Sequence, residues 1–320
     1  MGTAAGSSDP QLPLGVTDAD SAADAAKAGT EVPPGRPDPT PAAEPEKKAS
    51  RAGRNLPAAV GVGAGLGGLV IGVLAFAPKA WLLVVAVAIA IATSEVTKRL
   101  READVLVPRV PLLVGGQAMI WLGWPYGTTG VLGAFAGTTV VSMLWRLFDR
   151  GLRGRPRNYL RDTAVTVFTA AWVPFLASFA TLMVLEDDGA ARVFCLMIVC
   201  VASDVGGYAS GVLFGKHPMA PAISPKKSWE GFGGSVLACT VAGVLTVTLL
   251  LDAAWWIGVL LGVVLAATAT ASDLIESQVK RDLGIKDMGT LLPGHGGIMD
   301  RLDSILPSAF VTWLVLGAFV

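Results

Sequence analysis

Long apolar runs follow one another along the chain from Leu56 to its end. Each run has close to the ~20 residues that a helix needs to cross a hydrocarbon core of about 30 Å. Because backbone polar groups in lipid must be satisfied within the segment, and the runs are far longer than barrel strands, the pattern predicts transmembrane helices. We expect nine helices, or eight if the glycine-rich first run lies flat on the membrane. The predicted spans are about 56–77, 80–97, 107–124, 127–145, 163–185, 192–213, 232–251, 255–273 and 304–320.

The composition supports the same fold class. Of the 320 residues, 52% are hydrophobic and 16% are charged, and the mean hydropathy is +0.58, whereas a soluble domain carries about 25% charged residues. The sequence therefore predicts an all-α, polytopic integral membrane protein. The 25 basic and 25 acidic residues leave no net basic field, which argues against a nucleic-acid partner. The three cysteines all lie in apolar runs, so we expect buried, unpaired thiols rather than a disulfide scaffold.

The first 55 residues differ from the rest of the chain. They are rich in Ala and Pro and contain no aromatic residue, so they have too little apolar surface to offset the entropy of ordering. We expect residues 1–55 to form a disordered cytoplasmic tail and residues 56–320 to form the membrane-embedded domain.

The distribution of basic residues predicts the orientation. With nine helices and the N-terminus inside, 23 of the 25 Lys and Arg residues fall in the tail and the inner loops, and only Lys79 and Arg192 fall outside. An excess of Lys and Arg marks the cytoplasmic side. The N-terminus and the polar chemistry are therefore expected on the cytoplasmic face of the cell's inner or plasma membrane.

Three polar patches lie on that predicted inner side: Asp204–Tyr208, Ser224–Gly231 and the segment 272–303. In the third patch, Asp273 and Lys280 share one face if the eighth helix continues past the membrane surface. Carboxylate oxygens are the ligands that Mg²⁺ prefers, Lys and Arg neutralise phosphates, and glycines let backbone N–H groups approach oxyanions. This combination is typical of metal-assisted phosphoryl transfer.

The third patch also carries a family resemblance. Ser277-x2-Lys280-Arg281-x4-Lys286-Asp287-x-Gly289-x2-Leu292-Pro293-x-His295-Gly296-Gly297-Ile298-x-Asp300-Arg301-Leu302-Asp303 resembles the signature of the phosphatidate cytidylyltransferase (CDP-diacylglycerol synthase) family over 27 consecutive positions. Ser224-Pro225-Lys226-Lys227-Ser228-Trp229-Glu230-Gly231 is similar to a second stretch of that family, and Asp204–Tyr208 to a third. The resemblance covers roughly residues 56–320. The chain departs from the family pattern at three positions, and at each a small residue replaces another. Ser228 stands where Thr is expected, Ser272 where Gly is expected, and Gly207 where Ala is expected.

The resemblance implies the transfer of the cytidylyl group of CTP to phosphatidate, which gives CDP-diacylglycerol and pyrophosphate for phospholipid synthesis. It assigns Mg²⁺ to Asp273 and Asp300, and it leaves open a second, monovalent cation and a homodimer. The CTP and phosphatidate phosphates would meet at the inner surface of the lipid bilayer.

The resemblance further implies a role for each remaining site residue. Asp204 is either a second metal ligand or an orienting group. The expected catalytic residues are Lys226, Lys280, Arg281, His295 and Asp204. The expected substrate contacts are Ser224, Lys227, Ser228, Ser277, Lys286, Gly296, Gly297 and Arg301.

Two other functions compete with this interpretation. A CTP-dependent kinase or cytidylyltransferase acting on a polyprenol-type lipid would use related motifs. A transporter would show inverted repeats and ionisable residues at the bilayer midplane, whereas this sequence has no convincing internal repeat and places its polar groups in one layer. The basic stretch at 146–161 has no role that the resemblance assigns.

Overall fold

The computed structural model describes residues 56–149, 157–291 and 296–320. The predicted tail, the middle of the basic stretch and His295 lie outside the described residues. The helices are α1 (Leu56–Phe76), α2 (Trp81–Glu102), α3 (Arg109–Phe148), α4 (Tyr159–Ala170), α5 (Leu176–Val184), α6 (Gly189–Phe214), α7 (Trp229–Leu250), α8 (Trp255–Asp282), α9 (Met299–Leu302) and α10 (Ile305–Phe319). The strands β1 (Pro218–Ala220) and β2 (Ser224–Ser228) form an antiparallel hairpin.

Seven helical segments in the described part of the chain are long and apolar enough to cross a membrane. They are Pro78–Glu102, Arg109–Phe148, Tyr159–Val184, Gly189–Phe214, Trp229–Leu250, Trp255–Asp282 and Met299–Phe319. Of α1, the stretch Gly63–Phe76 forms a shorter apolar helix. The predicted class, an all-α polytopic membrane protein, is confirmed, while the count of nine stays a prediction.

The 40-residue α3 is a helical hairpin. A straight helix of that length would extend about 60 Å, twice the hydrocarbon thickness. Its backbone reverses at Gly127, where φ is +54° and ψ is −141°, a conformation that glycine adopts easily. Gly115 on the first half then contacts Thr138 on the second. The two halves correspond to the predicted spans 107–124 and 127–145.

The span Tyr159–Val184 is locally underwound, because a π-helical turn from Ala171 to Phe175 joins α4 to α5. Pro174 lies in this turn and has no backbone N–H to donate. A wider turn accommodates that missing donor without ending the helix.

Small residues let α6, α7 and α8 pack closely. Gly243 on α7 faces Gly258 on α8, and a Cβ built on Gly258 would lie 2.5 Å from the Gly243 carbonyl oxygen. On the other side of α7, a Cβ on Gly206 of α6 would lie 2.8 Å from the carbonyl oxygen of Gly234. Close approach of backbones at small residues is how membrane helices gain packing contacts. These three helices form the walls of the candidate site. The three cysteines are free and buried, as predicted.

Candidate active site

A cleft of about 320 Å³ opens between α6, the β-hairpin, α7 and α8. It brings together residues from all three polar patches of the sequence. Six of the predicted site residues line it, namely Asp204, Ser224, Lys226, Lys227, Ser228 and Asp273.

The hairpin that carries the two lysines is fastened to the start of α7. Ser228 caps that helix, since its Oγ accepts a hydrogen bond from the Gly231 N–H at 3.1 Å. The Glu230 carboxylate accepts N–H bonds from Lys216 (3.1 Å) and His217 (3.2 Å), and it lies 2.5 Å from the His217 Nδ1. These contacts position β2, and with it Lys226 and Lys227, at the edge of the cleft.

Three carboxylates meet where α8 passes the cleft. Oxygens of Asp273, Glu276 and Asp303 lie within 4.8 Å of one another. The Glu276 side chain is fully buried, and no N–H or hydroxyl donor among the described residues pairs with its Oε1. We call these three residues the acidic cluster.

Two lysines border the acidic cluster. Lys227 contacts Asp273, and Lys280 Nζ lies 2.7 Å from Glu276 Oε2. A set of hard oxygen donors that includes a buried, unpaired carboxylate oxygen fits a magnesium ion.

Asp300, the second predicted metal ligand, occupies a different position. Its Oδ1 lies 2.6 Å from Lys280 Nζ, and its carboxylate accepts N–H bonds from Met288 at 3.0 Å and Gly297 at 2.7 Å. Lys280 therefore bridges Asp300 to the acidic cluster. Asp303 is the residue of this turn whose carboxylate lies beside Asp273.

Glu276 and Asp303 were not singled out from the sequence. The signal for Glu276 is present, because it lies three residues after Asp273 and four before Lys280 on one helix face. Asp303 belongs to the quoted motif, but spacing alone does not distinguish it from Asp300.

Helix α2 holds both ends of the segment that precedes α9. Glu95 Oε2 accepts a hydrogen bond from the Met299 N–H at 2.9 Å, and Arg99 Nε donates to the Met288 carbonyl oxygen at 3.0 Å. Gly297 is required here, because a Cβ on it would lie 2.7 Å from the backbone nitrogen of Gly289 and 2.5 Å from Glu95 Oε2. Glu95 is 204 residues away from Met299 in the chain, and no local pattern singles it out.

The remaining described residues of the predicted site are Arg281, Gly296, Ser277, Lys286 and Arg301. Arg281 Nε lies 3.5 Å from the carbonyl oxygen of Ile223 in the hairpin turn. Gly296, with φ of +81°, packs against Asp300. Ser277 is half-buried, and Lys286 and Arg301 are exposed; none of these three belongs to the cleft lining.

Comparisons with known proteins give one consistent result. The profile of a cytidylyltransferase family matches residues 58–319. A phosphatidate cytidylyltransferase of Mycobacterium leprae is 58% identical over 281 residues, which cover 84% of this chain and 90% of that protein. A phosphatidate cytidylyltransferase of Mycobacterium bovis is 56% identical, over 85% of this chain and 92% of that protein. One of Helicobacter pylori is 41% identical over 133 residues, which cover 42% of this chain and 50% of that protein.

Proposed function

Because the chain belongs to the cytidylyltransferase family, we propose that it transfers the cytidylyl group of CTP to phosphatidate at the membrane surface. The products are CDP-diacylglycerol, for phospholipid synthesis, and pyrophosphate. The observation that carries this proposal is the cleft, where Lys226 and Lys227 line the same space as Asp204 and Asp273. Relatives at 56–58% identity that are named for this activity support the choice of substrates.

The reaction needs charge neutralisation more than it needs a base. A phosphatidate phosphate oxygen forms a bond to the α-phosphorus of CTP, and the bond from that phosphorus to the bridging oxygen of the β-phosphate breaks. The attacking phosphate is already an anion, so the barrier lies in bringing two polyanions together and in stabilising the departing pyrophosphate. Positioned cationic and hydrogen-bonding groups reduce the repulsion between the two polyanions and stabilise the departing pyrophosphate, and both effects lower the barrier.

The residues of the cleft and its surroundings have distinct proposed roles. Lys226 neutralises phosphate charge, and Ser224 and the start of α7 offer hydrogen-bond donors to the same anion. Lys227 holds Asp273 in place. Lys280 and Arg281, at the end of α8, contribute positive charge beside the cleft. Asp204, on the α6 wall of the cleft, acts as an orienting group for the bound substrates.

The acidic cluster is the proposed magnesium site. Asp273, Glu276 and Asp303 would hold the ion, and Asp300 would hold Lys280 and the backbone next to it. A bound Mg²⁺ supplies positive charge that neutralises phosphate oxygens.

We also propose that the N-terminus and the cleft face the cytoplasm, as the distribution of basic residues indicates. Asp187 and Pro221 are both exposed. A cysteine at Asp187 should be labelled by an impermeant reagent from outside, and a cysteine at Pro221 only after the membrane is breached. The buried native cysteines should leave the unmodified protein unlabelled. Labelling of both positions from one side would contradict this topology.

Isotope position in CTP tests the reaction itself. With phosphatidate as acceptor, label at the α-phosphate should enter the lipid product, and label at the γ-phosphate should be released as pyrophosphate. A CTP-dependent lipid kinase would instead move the γ-label into the lipid, with a polyprenol as the better acceptor. Transfer of the γ-label, or no transfer from CTP to phosphatidate, would refute the proposed reaction.

A further inference from the structure

A second cavity, of about 200 Å³, is enclosed mainly by α1, α2, α5 and α10. Among the described residues that line it, Arg301 alone carries a charge. The others are apolar and include Ala88, Ala180 and Ala309. Its volume exceeds that of the ~150 Å³ apolar cavity that accepts benzene in an engineered protein. An apolar space of this kind with one cationic residue suits an amphiphile whose head is an anion.

The short α9 turn separates this cavity from the acidic cluster. Asp300 in that turn contacts Lys280, and Asp303, which directly follows the turn, belongs to the acidic cluster. Arg301, which lies between them in the chain, lines the apolar cavity together with Ile298. A ligand headed at Arg301 would therefore lie one helical turn from the proposed site of chemistry.

The residues that line the cavity extend over about the depth of one membrane leaflet. Its lining follows the chain from Ile298 to Ala309, which at 1.5 Å per residue extends about 16 Å. Half of a hydrocarbon core of about 30 Å is nearly the same depth. An acyl chain that enters beside a surface headgroup has this length.

We propose that this cavity, here named the acyl pocket, receives one acyl chain of the lipid substrate, with the lipid phosphate beside Arg301. The proposal rests on the proposed function and adds the location of the lipid to it. Bilayer lipid is as apolar as the pocket wall, so the pocket gains little affinity from burial. Its contribution is to fix the position of the lipid, and with it the attacking phosphate.

Substitutions that fill the pocket should discriminate between lipids of different length. Ala180→Leu and the half-buried Ala88→Leu are to be assayed with dioleoyl and dihexanoyl phosphatidate in the same detergent. We expect kcat/KM for dioleoyl phosphatidate to fall about tenfold. This is the low end of the change in kcat/KM that one added methylene causes in an apolar pocket. The value for the dihexanoyl lipid should change less than about twofold, because its short chains do not reach the filled region. The matched control is Ala136→Leu, on the exposed face of α3.

The outcomes separate the pocket from the proposed function. If the unmodified protein converts neither lipid, the proposed function fails, and the pocket fails with it. If the unmodified protein converts both, but the filled variants lose activity equally on both or on neither, only the pocket is refuted.

Photocrosslinking of the unmodified protein tests whether an acyl chain occupies the acyl pocket, even if the filled variants do not fold. A phosphatidate with a diazirine in the middle of one acyl chain should crosslink to peptides that contain residues 66–89, 177–180 or 298–309. An excess of dioleoyl phosphatidate should compete with the probe. Competable crosslinks found only on α7 or α8 would overturn the proposal.

Discussion

Two groups of charged side chains in the described part of the chain each contain a buried carboxylate, and they differ in how their charges are paired. In the first group, Arg146 at the end of α3 and Asp162 on α4 are 3% and 1% exposed. Arg146 Nη2 lies 2.7 Å from Asp162 Oδ2, and Arg161 Nη2 lies 3.0 Å from Asp162 Oδ1. Arg146 also donates to the Arg157 carbonyl oxygen at 2.9 Å. Both oxygens of the buried carboxylate thus have cationic partners.

The acidic cluster has the opposite arrangement. Oxygens of three carboxylates lie within 4.8 Å of one another. Two lysines contact the cluster, and no donor among the described residues pairs with Glu276 Oε1. A buried polar atom without a hydrogen-bond partner is costly, and a bound ion is one of the features that explain such an atom in a native structure. The Arg146–Asp162 group thus has its buried charge balanced by side chains, whereas the acidic cluster has the imbalance expected of the proposed cation site.

The largest expected effect follows from removing charge at the acidic cluster. Asp273→Asn and Glu276→Gln should each lower kcat by about 10³-fold or more while the protein stays folded, because an amide keeps the shape but loses the charge that holds a divalent ion. Steady-state rates at saturating Mg²⁺ measure this, with the exposed Asp282→Asn on the same helix as the control. A near-normal rate for either variant would exclude that residue as a ligand.

For the Arg146–Asp162 group, we expect substitution to lower the stability of the protein rather than its activity. Arg146→Met leaves Asp162 buried without its main partner, which should cost about 3–5 kcal/mol of unfolding free energy. Specific activity of the folded fraction should stay within about twofold. Denaturant unfolding in detergent and active-site-normalised rates test the two statements separately. A loss of activity without a loss of stability would show that this group also serves the reaction.

Lys226 tests the cleft beyond the acidic cluster. Lys226→Met should lower kcat/KM by about 10²-fold, since it removes a preorganised cation from the phosphate path. Lys216 is exposed in the segment between α6 and β1 and does not line the cleft, so Lys216→Met is the matched control. Equal effects of the two substitutions, measured on correctly inserted protein, would mean that the lysines only set orientation.

The smallest expected effect lies at Glu95. Glu95→Ala removes the acceptor for the Met299 N–H and should lower kcat by about tenfold, the equivalent of one lost hydrogen bond to a charged group. Glu95→Gln keeps an acceptor oxygen and should restore most of the rate. KM for CTP should change little in either variant. Failure of glutamine to rescue kcat would indicate that the charge of Glu95, rather than its hydrogen bond, is what the site needs.

The local pattern of apolar residues was sufficient to predict the membrane spans but not the contacts between them. The apolar runs predicted the seven apolar segments found in the described part of the chain, including the two halves of α3, because length and hydropathy are properties of a contiguous segment. The third polar patch of the sequence, residues 272–303, also contains both Asp273 and Asp300. The choice of Asp303 over Asp300 as the neighbour of Asp273 depends on how the α9 turn packs against α8, and no spacing rule encodes that packing. Glu95 was missed for the same reason.

Mg²⁺ titration of the unfolding temperature tests most directly whether the acidic cluster is the cation site. Glu276→Gln and Asp162→Asn make the same chemical change at two equally buried positions, one in each charged group. At a Mg²⁺ concentration of about 100 times Kd, binding stabilises a single-site protein by about 2.7 kcal/mol. We predict that Mg²⁺ raises the unfolding temperature of the unmodified protein and of Asp162→Asn, although the latter starts lower, and that Glu276→Gln shows no such increase. An equal increase in Glu276→Gln would contradict the account.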